Sequence, residues 1–164
     1  MGSILALLAG AGVGLFFLLK KPATAFSAPV DVLPGASLKP QSFETAFMAA
    51  ENEYGLPSGI LRSMAGIESS FRPDIIYCKV LGKSGERGLM QIDPRWHTVD
   101  GCDPWKAIPY AAGYLRENFD RFGSWRYAVA AYNWGPTNLE SKGYGARPPV
   151  TRRYVDRVAA EVGI

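Results

Sequence analysis

The sequence predicts a mainly α-helical domain over residues 42–164, with one short irregular or β excursion, behind an apolar transmembrane segment and a proline-rich linker. Three observations predict it. Apolar residues beyond Ser42 recur at helical spacing between recognisable caps. Gly, Pro and Asp concentrate in one stretch, between Phe71 and Asp103, where that spacing lapses. A single uncharged apolar run stands near the N-terminus. With 48% apolar and 12% aromatic residues in 164, the chain has enough material for one core, and too much for a disordered tail.

The N-terminal run, Ile4–Leu19, reads ILALLAGAGVGLFFLL. As a helix it spans roughly 24 Å, and from Met1 roughly 28 Å, close to the ~30 Å of a bilayer core. Gly10, Gly12 and Gly14 would weaken it in water but are tolerated between helices in lipid. Residues 1–21 are therefore assigned as a membrane anchor. A cleaved signal is the rival, because Ala23-Thr24-Ala25 resembles a cleavage site, although Lys20 and Lys21 follow the apolar core instead of preceding it. A buried core helix is a third alternative. The two lysines favour a cytoplasmic C-terminal domain, which conflicts with the function implied below. Residues 22–41 carry Pro22, Pro29, Pro34 and Pro40, and form a tether reaching about 60 Å if extended at ~3.1 Å per residue.

The domain of residues 42–164 then unfolds in order. Ser42 caps a helix with Phe43, Ala46, Phe47 and Ala50 on one stripe, ended by Gly55-Leu56-Pro57. A second helix runs from about Ser58 to Ser70. Ile75-Ile76-Tyr77 within the excursion has the composition of a short strand. Asp103-Pro104 starts a longer helix with Ile108, Leu115, Phe119 and Phe122 on one side and Gly123 as its stop. Ser124 caps the next, WRYAVAAYNW, which stops at Gly135-Pro136. Pro148-Pro149 opens the last helix, with Tyr154, Val155, Val158 and Val162 inward.

Glu68 stands out against this pattern. At ~100° per residue, Ile60, Met64, Ile67 and Phe71 fall within about 60° of one another. Glu68 lies about 40° from Met64, on the apolar side of its helix. On helix geometry alone it is either an edge glutamate reaching water or a desolvated acid. Desolvation disfavours the charged form, and a carboxyl protonated near neutrality suits general-acid attack on a glycosidic bond.

Its surroundings tip the balance. Glu68-Ser69-Ser70-Phe71 is followed by Gly88-Leu89-Met90-Gln91-Ile92, by Ala131-Tyr132-Asn133-Trp134-Gly135, and by Thr151-Arg152-Arg153-Tyr154-Val155. In that order they resemble the E-S-x-F, G-L-M-Q-I, A-Y-N-x-G and T-R-x-Y-V signatures of the lytic transglycosylases, which cut bacterial peptidoglycan and are similar to goose-type lysozyme. The resemblance implies a lysozyme-like α+β fold over about residues 42–160 and one glutamate, Glu68, serving as both acid and base. It implies cleavage between N-acetylmuramic acid and N-acetylglucosamine with a 1,6-anhydro product and no water consumed. By the same match Gln91 would hydrogen-bond sugar groups. Met90 would pack on the glycan or support the site, Tyr132 and Asn133 would face Glu68, and Tyr154 would close the wall. Met90 and Trp134 also read as plain core residues, and Asn133 as a helix cap.

The chain departs from the family pattern at three places. Gly82 replaces a serine, Val150 replaces a glutamate before Thr151, and Glu86 replaces a small residue. Glu86, as a second carboxylate, leaves room for a water-using muramidase. A non-catalytic peptidoglycan-binding protein is the remaining alternative.

Cys78 and Cys102 bracket the excursion, and bridged they would stabilise it by roughly 3 kcal/mol in an oxidising compartment. With His97 they fall one ligand short of a usual zinc site, so no metal and no cofactor is expected. His97 reads as a surface residue. Eighteen basic residues face fifteen acidic ones, and without Lys20 and Lys21 the balance is sixteen to fifteen, which gives no electrostatic reason to expect nucleic acid as the main partner, so none is expected. The expected partners are peptidoglycan strands and, through residues 1–21, a membrane. A phage virion, a secretion or conjugation apparatus, and general wall turnover are the settings that would use such a device.

Overall fold

The computed structural model describes residues 42–164. The predicted anchor over 1–21 and tether over 22–41 lie outside the described residues. Helices α1 (Phe43–Tyr54), α2 (Ile60–Ser69), α3 (Pro73–Ile76), α4 (Pro104–Phe122), α5 (Trp125–Trp134), α6 (Pro136–Lys142) and α7 (Pro149–Val162) follow in order, with a 3-10 turn at Tyr144–Ala146. Among the described residues there is no strand, only an isolated antiparallel bridge between Arg87 and Ile92. No helix among them is long and apolar enough to cross a membrane.

The caps explain most boundaries. Ser42 accepts from Thr45 N–H while the Thr45 hydroxyl accepts from Ser42 N–H, a reciprocal cap on α1. Asp103 accepts from Trp105 N–H ahead of Pro104, and Gly55 and Gly123 end α1 and α4 in the left-handed conformation. α2 starts slightly later than the expected Ser58. It begins at Ile60, after Gly59, and its free N–H groups are taken by the carboxylate of Glu51 on α1, from Gly59 at 2.8 Å and Leu61 at 2.9 Å. Glu51 is only 3% exposed, so these bonds, and the positive end of the helix dipole, satisfy a carboxyl group cut off from water.

α5 sits at the centre, packed on α4, α6 and α7, while α1 meets α4 and α2 meets α7. The reason is in its sequence: Ala128, Val129, Ala130 and Ala131 are consecutive and all fully buried, so this segment is apolar all round and narrow enough for close neighbours. Ile60, Leu61, Met64, Ile108, Leu115, Val155 and Val158 fill the space around it. Phe119 and Phe122, expected inward, are only partly buried, and Phe119 stacks on Trp125 with centroids 4.0 Å apart.

The excursion corrects one expectation. Ile75-Ile76-Tyr77 is not a strand. Pro73 opens a single helical turn, with Ile76 N–H donating to Arg72 O and Tyr77 N–H to Pro73 O, which buries Ile76 and leaves Tyr77 exposed. Proline at the first helical position outweighs β propensity here. Beyond it, Arg87 and Ile92 exchange backbone bonds of 2.9 Å across a tight turn. Gly88, at φ +71°, passes so close to Gly101 that a Cβ would lie 1.7 Å from the Gly101 carbonyl oxygen. Cys78 and Cys102 are joined by a disulfide with Cα atoms 5.5 Å apart, next to that crossing.

Candidate active site

Glu68 occupies the last turn of α2, and the residues after it turn the chain sharply. Ser69 Oγ donates to Ala65 O at 2.9 Å and accepts from Phe71 N–H at 3.2 Å. Ser70 and Phe71 adopt left-handed φ of 50° and 53°. Phe71 then folds back over Gly66, where an added Cβ would touch its ring at 3.4 Å, and meets Phe47 edge-on. The Ser and Phe of the E-S-x-F run therefore hold the helix end that presents Glu68.

Glu68 opens into a cleft of about 960 Å³. One wall comes from the excursion and the following loop, with Glu86, Gln91, Ile92, Asp93, Trp96 and His97. The other comes from the helices, with Tyr110, Tyr114 and Glu117 of α4, Tyr132, Asn133 and Trp134 of α5, and Thr137 and Asn138 of α6. Glu68 is half-buried there. Burial raises its carboxyl from the ordinary 4.5 to about 7, the Tyr154 hydroxyl pulls the other way, and the Glu86 charge adds to the rise. Near neutrality Glu68 thus exists in both protonation states, the condition for giving and then taking one proton.

The other sequence-predicted residues take distinct places. Tyr132 Oη donates to Met90 O at 2.9 Å, tying α5 to the turn that carries Gln91. Its proton is spent on that carbonyl, so only its oxygen lone pairs remain for other partners. Burial and the Glu68 charge hold its pKa well above the ordinary value. Met90 is wholly buried, so its side chain supports the site from the core and does not reach a glycan. Gln91 stands at φ +46°, donates from Nε2 to Gly88 O at 2.9 Å, and lines the cleft. Asn133 lines it too, with no side-chain hydrogen bond among the described residues. Tyr154, 5% exposed on α7, stands behind Glu68. Its hydroxyl closes no hydrogen bond of standard geometry, yet it is near enough to lower the Glu68 pKa, and burial raises its own well above the ordinary value.

Several cleft residues escaped the sequence reading. His97 is not a plain surface residue. Its Nδ1 pairs with Tyr110 Oη at 2.8 Å, its ring lies edge-on to Tyr114 at 4.9 Å, and burial lowers its pKa against the opposing pull of Asp93. Tyr110, Tyr114 and Glu117 lie on α4 at helical spacing, a stripe beside the core-facing one, which was the available signal. Glu86 accepts from Ser84 N–H at 2.9 Å and faces the cleft. It stands where a Cβ on Gly82 would be, 2.3 Å from its carboxylate oxygen, so the glycine found in place of a serine makes room for it. Among the described residues no group of three His, Cys, Asp or Glu side chains could hold a metal ion.

A half-buried acid of raised pKa in an open cleft with walls of mixed polar and aromatic side chains is suited to proton transfer onto a bound polymer. The family model of the transglycosylase SLT domain matches residues 45–148, which take in Glu68, Gln91, Tyr132 and Asn133 and stop short of Tyr154. Members of that family are lytic transglycosylases acting on peptidoglycan. The match covers well over half of the chain, and the protein belongs to the transglycosylase SLT domain family.

Proposed function

We propose that the protein is a membrane-anchored lytic transglycosylase in which Glu68 is the single acid and base. The observation that carries this reading is the carboxyl of Glu68, facing the cleft with its pKa raised to about 7. Protonated Glu68 donates to the oxygen linking N-acetylmuramic acid to N-acetylglucosamine as C1 gains positive charge. The carboxylate left behind then takes the proton of the muramyl C6 hydroxyl while that oxygen closes on C1. The glycosidic bond breaks, a 1,6-anhydro ring forms, and the proton count returns to its start. An internal hydroxyl is already tethered beside C1, which favours it over a water that must be held there. Gln91 and Asn133 bind the strand, and Tyr154 tunes the acid.

The apolar residues 1–21 and the tether 22–41 support a domain held near a membrane and reaching toward the wall. Local opening of the wall during phage genome delivery suits this economy of parts, since a virion or ejected protein escapes the orientation conflict set by Lys20 and Lys21. Secretion or conjugation machinery and wall turnover are the other settings.

Glu86 favours a second reading. A second carboxylate in the cleft is what a hydrolase would use to activate water. Mass spectrometry of muropeptides released by the full chain separates the two. Anhydro ends are expected, and reducing ends would make the protein a muramidase. Glu68→Gln is expected to abolish release while wall binding persists, and undiminished release would remove the assignment of Glu68.

A further inference from the structure

Trp96 is the most exposed large apolar side chain of the domain, 79% accessible, yet it lines the cleft. Nothing in the core needs it. The backbone beneath it is nonetheless braced: Trp96 N–H and His97 N–H both donate to Asp93 O at 3.1 Å, and Arg95 grips the Asp93 carboxylate through its guanidinium and its backbone N–H. The next residue, His97, is held by Tyr110 and Tyr114. A free indole on a fixed turn gains from covering its face and loses little entropy in doing so.

We propose that Trp96 is the stacking platform of a sugar subsite in the cleft, binding the apolar C–H face of a β-1,4-linked N-acetylated pyranose. The proposal rests on the glycan-cleaving reading above and names a residue that reading does not use. A β-1,4 strand carries its substituents equatorially and so presents flat C–H faces to an aromatic ring, with its hydroxyl and amide groups pointing sideways. The cleft that Trp96 lines also supplies an acceptor in Glu86 and an amide in Asn133 for those lateral groups. An α-1,4 glucan of the same length curves, so its successive ring faces do not line up along one groove, and it carries no N-acetyl groups.

The test uses the full-length chain and two readouts. Calorimetric binding of the β-1,4 N-acetylglucosamine pentamer is measured with the Glu68→Gln chain, alone and with Trp96→Ala or Trp96→Tyr, and with the α-1,4 glucose pentamer as control. Trp96→Ala is expected to weaken pentamer binding about tenfold and Trp96→Tyr to restore most of it, with the α-glucan not binding. On peptidoglycan, with Glu68 intact, Trp96→Ala is expected to raise KM about tenfold and leave kcat within about twofold. Pentamer binding that is undetectable without the Trp96 change, or unaltered by Trp96→Ala, overturns the proposal. So does a loss of kcat at unchanged affinity, which would make Trp96 a support for its turn. Because binding is read without turnover, a failure of the Glu68 assignment, seen as an active Glu68→Gln chain, is distinguished from a failure of this one.

Discussion

The two walls of the cleft are built by different physics. The helical wall belongs to a frame in which α5 is surrounded by α4, α6 and α7, and burial of side chains such as Leu115 and Val129 holds it. The facing wall, from Phe71 to Asp103, has few buried side chains of its own. It is held by a glycine crossing, a disulfide, turns of local backbone bonds, and side-chain bonds to the helices such as Tyr132 to Met90 O and His97 to Tyr110. Leu89, Met90 and Ile92 are the apolar pegs that fix it to the frame. Stability therefore resides mainly in the frame, and the shape of the active cleft depends on backbone detail in the excursion. Glu68 stands where the two meet.

That division predicts how each region breaks. The largest effect belongs to the junction: Glu68→Gln is expected to cut the peptidoglycan cleavage rate by about a thousandfold, measured as released muropeptides. The same variant carries a stability signature. The folded pKa of about 7 exceeds the ordinary 4.5, so native protein binds the proton more tightly than unfolded chain. The stability contributed by Glu68 is full below pH 4.5 and falls as pH rises through 7. Glu68→Gln should thus be more stable than the parent at pH 8, by about 3 kcal/mol, and not at pH 4.

Next come paired substitutions, one per wall. Leu115→Ala empties a fully buried site of α4 and is expected to cost about 3 kcal/mol in denaturant unfolding, while cleavage below the transition stays near that of the parent. Gly88→Ala drives a methyl into the Gly101 carbonyl, and here cleavage should collapse together with hydrogen-exchange protection of the excursion. Equal loss of activity in both variants would erase the distinction between the walls. Replacing Cys78 and Cys102 together with alanine should lower stability by about 3 kcal/mol or less, with the loosening confined to the same segment.

The smallest effects are opposed shifts in the pH profile. If Glu68 is the acid proposed above, activity is expected to fall as pH rises through about 7. Tyr154 lowers that pKa, so Tyr154→Phe moves the alkaline limb upward. Glu86 raises it, so Glu86→Gln moves the limb downward. Rate profiles between pH 5 and 9 read both, and shifts in the same direction would contradict the geometry.

The same division explains what could be read from the sequence. The frame was legible because side-chain burial repeats every 3.6 residues and Ser42, Asp103-Pro104, Gly123 and Gly135 mark its ends. The excursion was not, because Pro73 and the backbone groups of Arg72 outweigh the β propensity of Ile75-Ile76-Tyr77. α6 hid behind Gly135-Pro136, which reads as a stop and also serves as a new start. Glu51 gave no sign of its role, since capping α2 depends on a tertiary approach of α1. Of the cleft, Glu68 stood out as a carboxylate on an apolar stripe. Trp96, His97 and the Tyr110–Tyr114 pair are far from Glu68 in sequence, and only folding brings them to one groove.

The central claim is that the carboxyl of Glu68 holds its proton up to near neutrality. Carbon-13 NMR of the glutamate side-chain carboxyls across pH 3–9, with Glu68→Gln to assign the signal, measures it directly. A midpoint near 7 for Glu68 is the expected result. A midpoint near the ordinary 4.5 would contradict the account, because the acid would then be spent before any strand reached it.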